Sequence, residues 1–164
     1  MPKKIKKPKR PLVIIGWREV VALPEWGIEE LLAKADSGAR TSAIDVADMM
    51  ELPGDRVRFD VVVSRAHRHE RQTVEAAISR RSRVRSSNGQ VEERIFVTTP
   101  MRLGEVVKDV EFSLVCRRHM LCRTLLGRKA LAGDFLVNCR RRYLMGRPRL
   151  NNPNVHEEYE ESSR

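Results

Sequence analysis

Apolar and polar positions along this chain of 164 residues follow the two-residue period of half-buried strands more often than a helical period. Leu12–Ile15 and Glu19–Leu23 read as two short strands with a turn at Gly16, and Pro24 ends the second. Thr41–Met50 reads as a strand, and Leu52-Pro53-Gly54-Asp55 as a turn with proline and glycine in suitable places. Arg56–Val63 begins as strict alternation and ends as a buried run. Thr73–Val84 is mixed, with Arg80, Arg81, Arg83 and Arg85 crowding its end. Ser86-Ser87-Asn88-Gly89 is the clearest hairpin signal, because Asn-Gly readily adopts the left-handed angles of a tight β-turn. Val91–Thr99 and Val106–Cys116 are further strands, joined through Leu103-Gly104. A segment from Leu125 to Leu131 carries one short helix with Gly133 as its stop. Phe135–Val137 and Tyr143–Met145 are short final strands, and no internal repeat is present. The sum is a mainly-β domain with one short C-terminal helix, consistent with a small closed barrel. Ile28–Ala35 resists this reading, since its Glu-Glu-Leu-Leu run favours a helix by local propensity.

Composition narrows the class. The chain is 41% hydrophobic and 33% charged, enough apolar residues for one core in a soluble domain. No apolar run approaches the roughly 18 residues that span a bilayer. Leu12–Ile15 is also too short for the apolar part of a signal peptide, which runs about 7–15 residues. The expected location is the cytoplasm. Three cysteines, Cys116, Cys122 and Cys139, agree with a reducing compartment, an odd number being no disulfide framework. The net charge is +10 and unevenly spread. Residues 1–10 hold six lysines and arginines and no acid, and read as a disordered basic arm. Residues 151–164 read as an acidic flexible tail, with four Glu against one Arg from Glu157 onward. The body, residues 11–150, stays basic, which suits acidic partners such as nucleic acid, ribosomes or Glu-rich peptides.

The candidate chemistry lies at Asp36-Ser37-Gly38-Ala39, between two apolar runs. Gly38 lets the backbone turn where a side chain would clash, and Ser37 offers a short hydroxyl to lock that turn or to bond a neighbour. An acid at a tight turn between two strands is fixed and presented at a surface, as catalysis requires of a carboxylate. The tetrapeptide resembles the Asp-Thr/Ser-Gly-Ala signature of retropepsin-like aspartic peptidases. With Ile15–Glu19, Val21–Pro24, Lys34–Ala43 and Leu125–Leu131 in the same order, the chain over roughly residues 12–148 resembles a bacterial retropepsin-like family often labelled "ATP-dependent zinc protease". Some of its members are linked with the enzyme that adds glutamates to a ribosomal protein.

The resemblance carries expectations. It implies the small closed barrel of the acid proteases and makes Ile28–Ala35 a strand leading into the turn. Asp36 is then the catalytic acid, and Leu125-Leu126-Gly127 runs beside the turn and supports it from below. The physical need is a rigid, dry floor, which two leucines and a glycine allowing close backbone approach can form. Retroviral enzymes carry an acid four residues after the catalytic Asp that pairs with an Arg after the apolar-apolar-Gly segment. Here that position is Arg40, so Arg128 is expected to lack that partner. Aspartic peptidases use two carboxylates sharing one proton, because like charges about 3 Å apart cannot both ionise. One Asp-Ser-Gly turn per chain therefore implies a homodimer, with Ser37 bonding across the two-fold axis. The substrate is a peptide or protein, acidic if Arg80–Arg85 and Arg117-Arg118 face it. The hairpin around Asn88-Gly89 and the segment from Val63 to Arg71 are both candidates for the flap over it.

No cofactor is expected. The chain has no His-Glu-x-x-His and no Gly-x-x-x-x-Gly-Lys phosphate loop. Cys116, His119 and Cys122, with distant Cys139, are the nearest thing to a zinc set, but strand alternation would point His119 away from the two cysteines. His67 and His69 stand on an Arg-rich loop. The rival reading is a non-catalytic basic barrel that docks on RNA or the ribosome through its arm. Against it stands an aromatic content of 5%, which leaves few platforms for base stacking.

Overall fold

A computed structural model describes residues 10–64, 69–85, 89–116 and 122–149. The described residues form ten strands: β1 (Val13–Leu23), β2 (Ile28–Ala35), β3 (Ser42–Leu52), β4 (Arg56–Val62), β5 (Arg71–Ala77), β6 (Arg80–Arg85), β7 (Val91–Leu103), β8 (Val106–Val115), β9 (Thr124–Leu126) and β10 (Phe135–Arg142). One short helix, α1 (Arg128–Leu131), separates the last two strands. All but Arg10 of the basic arm, and all of the acidic tail, lie outside the described residues.

The strands run in the order β10-β1-β2-β9-β3-β8-β7-β6, and Ala22 of β1 also pairs with Arg102 of β7. That pairing closes β1, β2, β9, β3, β8 and β7 into a barrel, so the expected fold is the observed one. The interior is apolar, with Ile15, Leu23, Leu31, Ile44, Val97, Met101, Phe112 and Leu126 among its buried residues. A hairpin of β4 and β5 extends from β3 and buries Val57, Phe59 and Val61. Phe59 meets Trp26 edge to face with ring centroids 5.4 Å apart, which ties the hairpin to the turn between β1 and β2.

Ile28–Ala35 is a strand, against its local propensity. The reason is tertiary: Leu31 and Ala33 face the core while the strand is held between β1 and β9. Gly27 supplies the reversal before it, at φ 68°. Both flap candidates are hairpin connections, β4 to β5 and β6 to β7, with residues 65–68 and 86–88 outside the described residues.

Three details depart from expectation. Gly16 is not a turn, and Leu12–Leu23 does not divide into two strands; β1 is continuous. Gly16 is there because β10 crosses it closely: a Cβ would lie 2.5 Å from the Arg141 carbonyl oxygen. Thr73–Val84 divides into β5 and β6, because Ile78 and Ser79 turn to donate to the carbonyls of Asp55 and Phe96. Tyr143–Met145 is not a strand. Tyr143 adopts φ 54°, and the chain folds back onto the buried Glu19. The Glu19 carboxylate accepts from Gly16 N at 2.7 Å, Leu144 N at 2.9 Å and Met145 N at 3.2 Å. Met145 thereby packs against the core.

Removing that carboxylate leaves three backbone donors without their acceptor. Glu19→Ala is expected to lower the unfolding free energy by about 3 kcal/mol, measured by denaturant titration. A loss below about 1 kcal/mol would show that the fold-back contributes little.

Candidate active site

The acidic turn is built from both sides. β2 delivers Asp36, and β3 leaves at Ser42. Between them runs β9, parallel to β2 with Ala35 opposite Leu126, and antiparallel to β3 with Ala43 opposite Leu125. Leu125-Leu126-Gly127 therefore lies beside the turn, as expected. Asp36 N donates to the Leu126 carbonyl at 2.8 Å, and Arg128 N to the Ala39 carbonyl at 2.8 Å. Leu126 is buried in the core and Leu125 is half-buried on the other face. Gly127 has a strict reason: a Cβ there would lie 2.5 Å from the Thr41 carbonyl oxygen. Its amide donates to the Ser42 hydroxyl at 3.1 Å.

Within the turn, Asp36 Oδ1 accepts from Gly38 N at 3.0 Å, and Ala39 N donates to the Asp36 carbonyl at 3.3 Å. The carboxylate is thus fixed by its own turn while remaining half-exposed. Among the described residues no bond reaches Oδ2, and the exposed Ser37 hydroxyl makes none. Both are open to a group arriving from outside. Gly38 is exposed in the turn, and a Cβ there would meet Asp36 Oδ1 at 3.2 Å.

Arg128 pairs with no acid among the described residues. Its guanidinium Nη1 donates to the carbonyls of Ser37 at 3.0 Å and Gly38 at 3.1 Å, fastening the start of α1 to the turn. Arg40 is exposed and supplies a backbone carbonyl to Lys129 N. Sequence reasoning saw the missing acid but not the replacement, since the acceptors are main-chain atoms that no side-chain pattern encodes.

A second polar element went unseen. Asp45 pairs with Arg123 at 2.7 Å, with the two side chains only 0% and 2% exposed. Asp45 N also donates to the Arg123 carbonyl at 2.9 Å. The pair clamps β3 to the residue that enters β9. The signal available was weak: an Arg placed immediately before an apolar strand.

The other candidates lie elsewhere. Arg80 pairs with Glu111 and stacks on Phe96, and Arg81 pairs with Glu51 and Asp55. Hydrogen bonds donated to Glu51 and then to Asp55 hold the Arg81 guanidinium above its ordinary pKa. These two arginines are therefore engaged within the chain; Arg117 and Arg118 lie outside the described residues. Cys116 and Cys139 are exposed and Cys122 is buried, while His119 and His67 lie outside the described residues. Among the described residues no group of His, Cys, Asp or Glu is placed to hold a metal, and no helix is long and apolar enough to cross a membrane.

Known proteins resemble this arrangement at three levels. The model of the RimB-like family, described as retropepsin-like aspartic endopeptidase RimB, matches residues 14–148. A probable alpha-L-glutamate ligase of Shewanella halifaxensis is 32% identical over 136 residues, covering 81% of this chain and 30% of that protein. One from Desulfotalea psychrophila is 32% identical over 128 residues, covering 76% of this chain and 28% of that protein. The chain thus spans less than a third of these relatives. A crystal structure of a Legionella pneumophila protein of unknown function superposes with a TM-score of 0.68 at 22% identity, covering 81% of this chain and 98% of that one, a likeness of fold.

The close approach at Gly127 yields a sharp expectation. Gly127→Ala forces the Thr41 backbone away, and should cost about 2 kcal/mol or more in thermal or denaturant unfolding. A variant as stable as the parent would mean the floor and the turn are not packed as described.

Proposed function

The chain belongs to the RimB-like family of retropepsin-like aspartic endopeptidases, and from that membership we propose that it hydrolyses peptide bonds between two Asp36 carboxylates, one from each copy of a homodimer. The observation that carries this reading is the posture of Asp36. Oδ1 is held by the Gly38 amide, while Oδ2 and the Ser37 hydroxyl have no partner among the described residues. A symmetric second copy would bring a matching carboxylate to Oδ2 and a matching turn to Ser37. One carboxyl then takes a proton from water as it attacks the carbonyl carbon, and the other gives its proton toward the carbonyl oxygen. Neither can do both, and a lone Asp36 leaves the reaction half equipped.

The substrate is a polypeptide rich in acidic residues. The basic body supports this, and so does the likeness to part of proteins named as glutamate ligases, in a cytoplasmic setting where glutamate-modified or ribosomal proteins are processed. Ligase activity itself does not follow, because the shared region is under a third of those proteins. RNA or the ribosome, met through the basic arm, remains the alternative partner.

Asp36→Asn is expected to lower cleavage of a Glu-rich test peptide by at least about a thousandfold, with the circular-dichroism spectrum and unfolding midpoint retained. Sedimentation should find a dimer at the concentrations where cleavage occurs. Cleavage retained by the variant, or full activity in a strict monomer, contradicts the proposal.

A further inference from the structure

Of the residues that build the acidic turn and its floor, only Asp36 is an acid. Residues 35–44 and 122–133 contain no other Asp or Glu. The acids bordering these stretches are engaged, Asp45 with Arg123 and Asp134 with Lys108 at 2.6 Å. Three exposed cations stand beside the turn instead: Arg40, Arg128 and Lys129. Main-chain bonds fix how near they are. Ala39 N donates to the Asp36 carbonyl, Arg128 N to the Ala39 carbonyl at 2.8 Å, and Lys129 N to the Arg40 carbonyl at 3.0 Å. The Arg128 guanidinium itself lies on the carbonyls of Ser37 and Gly38. Those carbonyls orient its charge and leave it uncancelled, since arginine stays protonated. No ion pair joins any of the three cations to a described residue.

On an open surface such cations are ordinary, because water and salt compensate them. Beside Asp36 the surface closes once a second copy arrives. The proposed dyad sets two carboxylates about 3 Å apart, so the two turns meet and each brings its own three cations. Against Asp36 these leave an excess of two positive charges per copy. The proton shared by the dyad also removes one of the two opposing negative charges. Like charges repel more strongly where water is squeezed out than in bulk solution. Where two elements of the chain meet elsewhere, cations are matched with acids: Arg58 with Glu75, Arg71 with Asp48, Arg80 with Glu111. At the turn the chain supplies none.

Resting on the two-chain aspartic-peptidase reading, we infer that the missing acids come from the substrate: an acidic peptide lying across the two-fold axis neutralises Arg40, Arg128 and Lys129 of both copies and so assembles the catalytic dimer. Without it the copies repel at the turn and the dyad stays incomplete. Guanidinium and ammonium groups on either side of the axis take carboxylates of the bound peptide. Binding and assembly are then one linked equilibrium, and each tightens the other by the same factor. Hydrolysis divides the bridge into two shorter pieces, each with fewer carboxylates to hold the axis together. Turnover therefore loosens the dimer, and cleavage is confined to chains that carry a run of acids.

Sedimentation equilibrium of the full chain separates this inference from the reading beneath it. With Asp36→Asn protein, which leaves the peptide uncut, an octapeptide of glutamates should tighten the dimer dissociation constant by about tenfold in about 50 mM NaCl. An octapeptide of alternating serine and glutamine should leave it unchanged. Wild-type protein without peptide should dimerise several-fold more tightly in about 500 mM NaCl, because salt screens the repulsion. The same salt should weaken the dimer that the glutamate peptide bridges. Arg40→Glu and Lys129→Glu should each tighten the ligand-free dimer and shrink the effect of the peptide. Both side chains are exposed, so the unfolding midpoints should be retained. A dimer that the glutamate peptide does not tighten, or that the control peptide tightens equally, overturns the inference and leaves the peptidase reading standing. No wild-type dimer in any of these solutions sinks the two-chain reading itself, and the inference with it. An RNA octamer that tightens the dimer as much as the glutamate peptide overturns the inference in favour of a nucleic-acid bridge.

Discussion

Everything at the candidate centre depends on one strand of three residues and on the glycine after it, which lies where the neighbouring backbone leaves no room for a side chain. β9 enters between β2 and β3, accepts the Asp36 amide through the Leu126 carbonyl, and presses Gly127 against the backbone of Thr41. Each arm of the acidic turn is therefore bonded to the same short segment, and the turn cannot open without breaking the barrel seam. Such placement is what a carboxylate needs before it can act on a bond rather than merely be solvated.

Polar groups clamp this apolar floor from several sides. Arg128 holds the outer side of the turn by two main-chain carbonyls. Asp45 and Arg123 fix the entry to β9 from beneath, in a buried pair whose separation would leave a charge in a dry site. At the far end of β1, Glu19 gathers the chain after β10 and seats Met145 on the core. At the turn itself, Oδ2 of Asp36 and the Ser37 hydroxyl have no partner among the described residues. A turn held firmly by its neighbours, with open polar atoms facing outward, is the physical basis for reading it as the working element.

Much of this was legible in the chain. Alternation found β3, β4, β7 and β8, and the Asp-Ser-Gly-Ala and Leu-Leu-Gly motifs located both sides of the turn. Propensity misled at Glu29-Glu30-Leu31-Leu32, where tertiary burial on the barrel wall overrides a helical preference. Gly16 looked like a turn because glycine's commoner use is φ freedom; here it serves close approach by β10, which only a fold can reveal. The partners of Arg128, Arg123 and Glu19 were invisible for a related reason. They are main-chain atoms or residues 78 to 126 positions away.

The central claim is that catalysis is shared between two chains, and subunit mixing tests it most directly. Wild-type and Asp36→Asn protein are combined in varied proportions at constant total concentration, allowed to exchange, and assayed on a Glu-rich peptide. If each working site draws one Asp36 from either copy, activity falls with the square of the wild-type fraction, to about a quarter at equal proportions. Activity that falls in direct proportion, to about a half, would place a complete site within a single chain and contradict the account.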